Sequence, residues 1–139
     1  SEKITPSPLD IYGLSKLTCE HLLEKFYLET SIPSIACRFF NAFGPNETNP
    51  HLIPEIQYQL KAKKRIINLG NLEPKRDYIH TYDMAKALKG LVENYSNGFD
   101  VFNLGRGIEY SVREVVRAFE KSLGESITIN QDPSRKGLR

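Results

Sequence analysis

The sequence contains no tryptophan, a single methionine and only two cysteines among its 139 residues. Cys19 and Cys37 are too far apart for the short spacing of a metal-binding cysteine pair, and no histidine falls at a spacing typical of a zinc site. No metal site is therefore predicted. So few cysteines without a disulfide pattern are most simply interpreted as those of a reduced, cytoplasmic protein.

Strong charge of either sign and long apolar runs are also missing. Nineteen basic and seventeen acidic residues leave a net charge of +2, which gives no case for nucleic acid as the main partner. No run approaches the roughly 20 apolar residues that a membrane-spanning helix needs. Ser1–Pro6 carry no apolar core like that of a signal peptide. The sequence thus predicts neither a nucleic acid nor a membrane as a partner.

Three common site motifs are absent as well. The sequence has no G-x-G-x-x-G stretch and no P-loop, the two motifs that cradle phosphates at the start of a helix. It also has no G-x-S-x-G nucleophile elbow, which argues against a serine hydrolase. Gly105-Arg106-Gly107 comes nearest to a glycine-rich loop, but the next predicted helix begins several residues later, so we interpret it as a turn.

Predicted strands alternate with predicted helices along the chain. We expect helices near 10–29, 53–63, 82–95 and 111–123, and strands near 34–40, 65–69, 76–80, 100–104 and 126–130. This alternation predicts an α/β fold with parallel strand pairing. The segment 34–40 is nearly all apolar apart from Arg38, which predicts a strand buried on both faces. The segment 41–50 is predicted to be a loop.

A tyrosine and a lysine lie four residues apart at the start of the first predicted helix. Tyr12 and Lys16 therefore project from the same helical face, and Asp10 is a suitable N-cap. A cation close to a phenol favours the phenolate, so the pair could take a proton from a substrate hydroxyl. The same spacing is also common on solvated helix surfaces, and it indicates chemistry only if the rest of the chain agrees.

Polar and basic residues adjoin predicted strands, where parallel sheets bind their ligands. Asn41 follows the strand 34–40, Arg76 begins the strand 76–80, and Arg135 follows Pro133 in the last loop. An amide donor and guanidinium groups that bind phosphate bidentately suit a diphosphate. Three separated groups do not form the dense patch that a polyanion needs. On sequence alone they could also be ordinary surface residues.

Six short stretches occur in an order typical of one protein family. They are Y-G-L-S-K at 12–16, R-F-F-N-A-F-G-P at 38–45, L-I-P at 52–54, R-D-Y-I-H-T-Y-D-M-A at 76–85, F-N-L-G at 102–105 followed by Ser111, and D-P-S-R at 132–135. Together they resemble the extended short-chain dehydrogenases/reductases, specifically the NAD-dependent nucleotide-sugar epimerases and dehydratases. The family's glycine-rich loop and the serine or threonine that partners its tyrosine have no match here. The resemblance therefore implies the C-terminal portion of a longer enzyme.

The resemblance implies an α/β fold that combines part of a Rossmann-like parallel sheet with a smaller α/β substrate-binding region. Residues 1–45 would end the NAD-binding domain and include the helix of Tyr12. Residues 46–139 would form mainly the substrate-binding region, with elements that return to the main sheet. Family members usually form homodimers through the helix of the tyrosine, so its apolar side, with Leu22 and Phe26, is expected to be exposed here.

The chemistry that the resemblance implies is the oxidation of a nucleoside-diphosphate sugar at C4 to a 4-keto intermediate, with NAD rather than NADP as the cofactor. Tyr12 would be the base, Lys16 would assist it and hold the nicotinamide ribose, and the backbone near Phe40 would approach the nicotinamide. The substrate would be bound by Asn41, His51, Leu52, Leu69, Arg76 and Arg135. Because the dinucleotide loop is missing, these 139 residues alone are expected to be inactive. Another oxidoreductase of the same family and a non-catalytic nucleotide-binding module are the alternatives.

Overall fold

A computed structural model describes residues 2–61 and 65–134 of the chain. Its elements are α1 (Ile11–Thr30), β1 (Ser34–Phe39), β2 (Asn41–Phe43), α2 (Leu52–Lys61), β3 (Ile66–Leu69), β4 (Lys75–His80), α3 (Thr81–Asn94), β5 (Phe99–Leu104), β6 (Glu109–Ser111), α4 (Val112–Leu123) and β7 (Thr128–Gln131). Every predicted helix and strand is present with ends shifted by a residue or two, and the predicted end of the second helix lies outside the described residues. The predicted α/β class is confirmed.

The described residues fall into two compact units. The first comprises 2–40 and 81–105, and the second comprises 41–61, 65–80 and 106–134. The division predicted near residue 45 concerns the domains of a longer enzyme and stays a prediction.

In the first unit, β1 and β5 form a parallel pair, with Ser34 opposite Phe99 and Phe39 opposite Leu104. The helix α1 packs against both strands. The predicted parallel pairing is therefore confirmed. The prediction that the strand 34–40 is buried on both faces is wrong, because the described elements leave 53% of Phe39 exposed.

In the second unit, β4 lies between β2, which is parallel to it, and β6, which is antiparallel, while β3 pairs with β7 in parallel. An apolar core joins α2, α4 and the sheet of β3 and β7. Its buried members are Ile56, Ile67, Leu69, Leu72, Val112, Val115, Val116 and Ile127. The valines belong to one stripe of α4 at helical spacing, so this face of the helix packs into the core.

The strands β2 and β6 were not predicted, and the interpretation of residues 41–50 as a loop throughout is wrong at its start. Each of these strands has only three residues. A strand this short has too little alternation to be recognised from its own sequence. Both are instead stabilised by backbone pairing with β4, a partner more than 25 residues away in the chain.

Local hydrogen bonds cap both ends of α4. The Ser111 hydroxyl accepts the backbone N–H of Glu114 at 3.3 Å, and the Glu114 carboxylate accepts the backbone N–H of Ser111 at 2.7 Å. At the other end Gly124 has a φ of +69°, a left-handed conformation that glycine adopts without a steric cost. Its N–H donates to the Glu120 carbonyl. Because these bonds join residues that are close in the sequence, the ends of the helix can be predicted from the sequence.

Candidate functional site

The first turn of α1 presents Tyr12 and Lys16 together, as their spacing predicts. The ammonium nitrogen of Lys16 lies 5.2 Å from the centroid of the Tyr12 ring, which is within cation–π range. Asp10 caps the helix by accepting the backbone N–H of Gly13 at 2.7 Å. Tyr12 is 71% exposed, so its phenol is open to a ligand.

Glycine at position 13 allows the preceding segment to pack closely on this turn. A Cβ atom at Gly13 would come within 3.1 Å of the Pro8 Cβ and 3.2 Å of the Asp10 carboxylate. Both distances are tighter than ordinary contacts, so a larger residue would require Pro8 and Asp10 to shift by a few tenths of an ångström. The glycine of the Y-G-x-S-K stretch therefore has a packing role beside the two residues that are predicted to carry chemistry.

An ion pair that the sequence did not predict ties α1 to β1. The Arg38 Nε and Nη2 atoms donate to the two Glu20 carboxylate oxygens at 2.8 and 2.6 Å. The guanidinium lowers the pKa of Glu20, and the carboxylate raises the pKa of Arg38. The available signal was the lone charge of Arg38 in an apolar strand, because a charge there requires a partner.

Phe40 lies directly after β1, at its carboxyl end. Its backbone N–H donates to the Leu104 carbonyl at 3.0 Å, and its side chain is exposed. This is the end of a parallel strand where ligands of such sheets bind. The position agrees with the role expected for Phe40 but does not test it.

In the second unit, the predicted phosphate ligands Asn41 and Arg76 lie on one face of the β2–β4 pair. Asn41 stands opposite Tyr78 in the parallel register, and Arg76 precedes Tyr78 by two residues. Side chains two apart on a strand share a face, whereas Asp77 and Ile79 are buried on the other face. Tyr78 was not predicted as a site residue. Burial raises the pKa of its phenol, and the nearby Arg76 partly opposes this rise.

Both predicted phosphate ligands also bond to β4 itself. The Asn41 amide nitrogen donates to the Asp77 carbonyl at 3.3 Å, and Arg76 Nη1 donates to the Lys75 carbonyl at 3.0 Å. A guanidinium has five N–H donors, so this bond leaves capacity for a bidentate contact with phosphate. The Arg76 side chain is exposed.

The remaining predicted substrate residues have different surroundings. His51 is exposed, with Nδ1 2.5 Å from a Glu47 carboxylate oxygen, and Leu52 is the partly buried first residue of α2. Leu69 is only 4% exposed and belongs to the apolar core, so its side chain is used in packing. Arg135 lies outside the described residues. The substrate roles of these four residues stay predictions.

A cavity of about 710 Å³ lies in the second unit between the loop after β2, α2 and α4. Apolar side chains from all three segments line it, together with Lys61, Arg65 and His80. His80 packs edge-on against Phe43, with ring centroids 5.3 Å apart, as expected of a structural histidine. None of the predicted substrate residues in the described part of the chain lines this cavity.

Residues 2–61 and 65–134 contain neither a metal-binding cluster nor a membrane-spanning helix. There, no group of three His, Cys, Asp or Glu side chains is arranged to hold a metal ion. No helix in the same ranges is both long and apolar enough to cross a membrane.

Comparison with known proteins gives a consistent result. Residues 1–105 match the sequence model of the NAD dependent epimerase/dehydratase family. A UDP-glucose 4-epimerase of Yersinia enterocolitica is 32% identical over 144 residues, covering 91% of this chain and 43% of that protein. A GDP-6-deoxy-D-talose 4-dehydrogenase of Aggregatibacter actinomycetemcomitans is 30% identical over 115 residues, covering 83% of this chain and 38% of that protein. The chain thus spans less than half the length of these relatives.

Solved structures with the same fold include two enzymes of different activity. The UDP-glucose 4-epimerase of Bifidobacterium longum, in complex with NAD+ and UDP, has a TM-score of 0.80 and 27% identity over 96% of this chain and 46% of its own. The dTDP-glucose 4,6-dehydratase of Bacillus anthracis, in complex with NAD, has a TM-score of 0.80 and 25% identity over 95% of this chain and 43% of its own. These similarities confirm the predicted Rossmann-like fold.

Proposed function

The chain belongs to the NAD dependent epimerase/dehydratase family, and from this premise we propose that it is part of an enzyme that oxidises a nucleoside-diphosphate sugar at C4. The observation that carries the proposal is the pairing of Tyr12 with Lys16. Their 5.2 Å contact lies on the exposed first turn of a well-capped helix. An exposed phenol beside an ammonium suits proton transfer to and from a bound alcohol.

In the proposed reaction the Tyr12 phenolate accepts the proton of the C4 hydroxyl, and a carbonyl forms at C4. The Lys16 ammonium stabilises the phenolate before the transfer and interacts with the nicotinamide ribose. NAD, when bound, would supply the hydride acceptor that this oxidation needs. The exposed Tyr12, Lys16 and the backbone at Phe40 fit the nicotinamide end of this cofactor, whereas the sequence has no glycine-rich loop for its diphosphate. This chain therefore contributes only part of the NAD site.

The second unit is proposed to bind the diphosphate through Asn41 and Arg76, which share one face of β2 and β4. Arg135 is assigned the same role from its motif alone. Binding of the nucleotide, which does not react, positions the sugar for chemistry at C4. The presence of UDP in the solved Bifidobacterium longum relative supports a nucleoside diphosphate as the ligand class.

Two outcomes can follow from the same C4 oxidation. Return of the hydride to the opposite face of C4 gives epimerisation, whereas loss of water across C5 and C6 with hydride delivery to C6 gives dehydration. A second candidate is a 4-dehydrogenase, which would release the 4-keto sugar as its product. In this reaction too, Tyr12 would transfer the proton between its phenol oxygen and the C4 oxygen. The similarity to a GDP-6-deoxy-D-talose 4-dehydrogenase favours keeping this candidate.

The test is a titration of the full-length protein with UDP-glucose, dTDP-glucose, UDP-glucuronic acid and GDP-sugars, followed by turnover assays with those that bind. We expect Tyr12→Phe to lower kcat by at least about 100-fold, the scale of a lost general base. Its nucleotide affinity should change little, because the nucleotide is proposed to bind through other residues. Tyr58→Phe, at an exposed tyrosine of α2, is the matched control and should keep normal turnover.

Two results would contradict the proposal in different ways. Failure of the full-length protein to bind any nucleotide sugar would leave the non-catalytic module as the better interpretation. Near-normal turnover of Tyr12→Phe would remove Tyr12 from the mechanism while leaving the substrate class intact.

A further inference from the structure

The buried carboxylate of Asp77 has no role in the proposed chemistry, yet it organises a turn. Asp77 is 7% exposed. Its two oxygens accept the backbone N–H groups of Arg106 at 2.9 Å and Gly107 at 2.7 Å. A buried charge without such partners would be costly. Two successive N–H groups directed at one anion form the kind of concavity that binds phosphates elsewhere, and here it is filled by the chain's own aspartate.

The turn determines how β6 meets β4. Gly107 has a φ of +73°, and β6 begins two residues later. In the resulting antiparallel register Arg76 stands opposite Tyr110. A slip of one residue would move every side chain of a strand to the other face. The bonds from Asp77 therefore help to fix which residue of β6 lies beside Arg76.

Asp77 is also connected to the second proposed phosphate ligand. Its backbone carbonyl accepts the Asn41 amide at 3.3 Å. The Asp77 side chain thus holds the turn on the buried face, whereas the Asp77 backbone carbonyl holds the Asn41 side chain. Arg76 and Asn41 depend on the same short segment of β4 for their orientation.

We propose that the Asp77 side chain is a positioning residue for the diphosphate ligand Arg76. This inference rests on the proposed function, in which Arg76 binds the diphosphate. Asp77 acts through Arg76 and not by contact with the ligand. Replacement of its carboxylate by an amide keeps the size but places an N–H donor against a backbone N–H donor, so one of the two turn bonds is lost.

The experiment is a double-mutant cycle on the full-length protein with UDP, dTDP and GDP as probes. Affinities are measured for the wild type, Asp77→Asn, Arg76→Ala and the double variant. We expect Asp77→Asn to weaken binding of the preferred nucleotide roughly tenfold, within the range found for residues of one network. In the Arg76→Ala background the same change should have an effect of less than about twofold. A residue that merely stabilised the fold would give additive effects.

Two further variants keep the test decisive. Glu109→Gln removes an exposed carboxylate opposite Asp77 in the register and should leave the affinity unchanged. Gly107→Ala strains the left-handed turn without touching the carboxylate, and an added Cβ would meet no atom within 4 Å. It should weaken binding in the same Arg76-dependent way, and it decides the matter if Asp77→Asn does not fold.

Each outcome bears on a different statement. Weakened binding that disappears in the Arg76→Ala background supports the inference. Unchanged or additive effects in a protein that binds a nucleoside diphosphate overturn the inference alone. Failure of the wild type to bind any of the three probes overturns the proposed function, and the role of Asp77 falls with it.

Discussion

The ion pair between Glu20 and Arg38 gives the sharpest prediction about how the helix of Tyr12 is held. The two side chains make paired hydrogen bonds at 2.8 and 2.6 Å and are only 17% and 27% exposed. Glu20→Gln keeps the shape and one acceptor but removes the charge and one charge-assisted bond. We therefore expect α1 and β1 to open more often than in the wild type.

The magnitude follows from the partial burial of the pair. Exposed ion pairs contribute about 0–1 kcal/mol, whereas removal of one partner from a fully buried pair costs about 3–5 kcal/mol. A pair of intermediate burial that keeps one hydrogen bond should lose about 1–2 kcal/mol. Such a loss increases the exchange rate of amides that open with the pair by about 5- to 30-fold.

Hydrogen exchange measured by mass spectrometry detects this increase in the amide exchange rate of peptides that contain α1 and β1. Glu24→Gln is the matched control, since Glu24 is an exposed acid one turn further along α1. An exchange rate in Glu20→Gln within about twofold of the control would refute the reasoning, because the pair would then contribute no more than a surface contact.

The same pair predicts a pH dependence with a defined sign. The folded pKa of Glu20 lies below its ordinary value of 4.5 because it accepts hydrogen bonds from Arg38. Its contribution is therefore fully present above about pH 4.5 and is lost as the pH falls through the lowered folded pKa. The difference between wild type and Glu20→Gln should shrink in that acid range. A difference that stayed constant from neutral pH to well below 4.5 would show that the carboxylate charge is not responsible.

Two more predictions concern the ends and surfaces of helices. Ser111→Ala removes one half of the capping box of α4 and should lower the free energy of unfolding by about 1 kcal/mol. Urea denaturation measures this loss, with Ser122→Ala in the last turn of α4 as the control. No loss would mean that Glu114 caps the helix alone. Leu22→Glu introduces a charge at a position where Leu22 is 63% exposed beside the 43% exposed Phe26. In sedimentation experiments this change should shift the expected homodimer of the full-length protein towards monomer. An unchanged dimer would place the interface elsewhere.

The helices and longer strands could be predicted because their signals are local. Asp10 and the Ser111 capping box mark helix starts within four residues of sequence, and Gly124 marks an end. The strands β2 and β6 could not be predicted, since three residues carry no periodicity and both depend on pairing with β4. The contact of Tyr12 with Lys16 followed from helical geometry alone, which is why its prediction needed no tertiary information.

Individual residues of the candidate site could be predicted, but their arrangement in space could not. Asn41 and Arg76 were selected for their chemistry, but their shared face depends on the β2–β4 register, which the sequence does not contain. For the same reason the position of Tyr78 opposite Asn41 was not predicted. The partner of Arg38 could be expected but not identified, because Glu20 lies 18 positions away on a helix.

Neighbouring residues of the Arg76-Asp77-Tyr78 stretch have different structural roles. Strand alternation sends Arg76 and Tyr78 to the face shared with Asn41, whereas the carboxylate of Asp77 turns inward to the backbone of Arg106 and Gly107. The exposed Arg76 side chain can meet a ligand, the partly buried Tyr78 packs against the apolar core, and the Asp77 carboxylate holds the turn beside them. A substitution at Asp77 should therefore change the geometry of binding, whereas one at Arg76 should remove the proposed contact. The double-mutant cycle distinguishes the two effects.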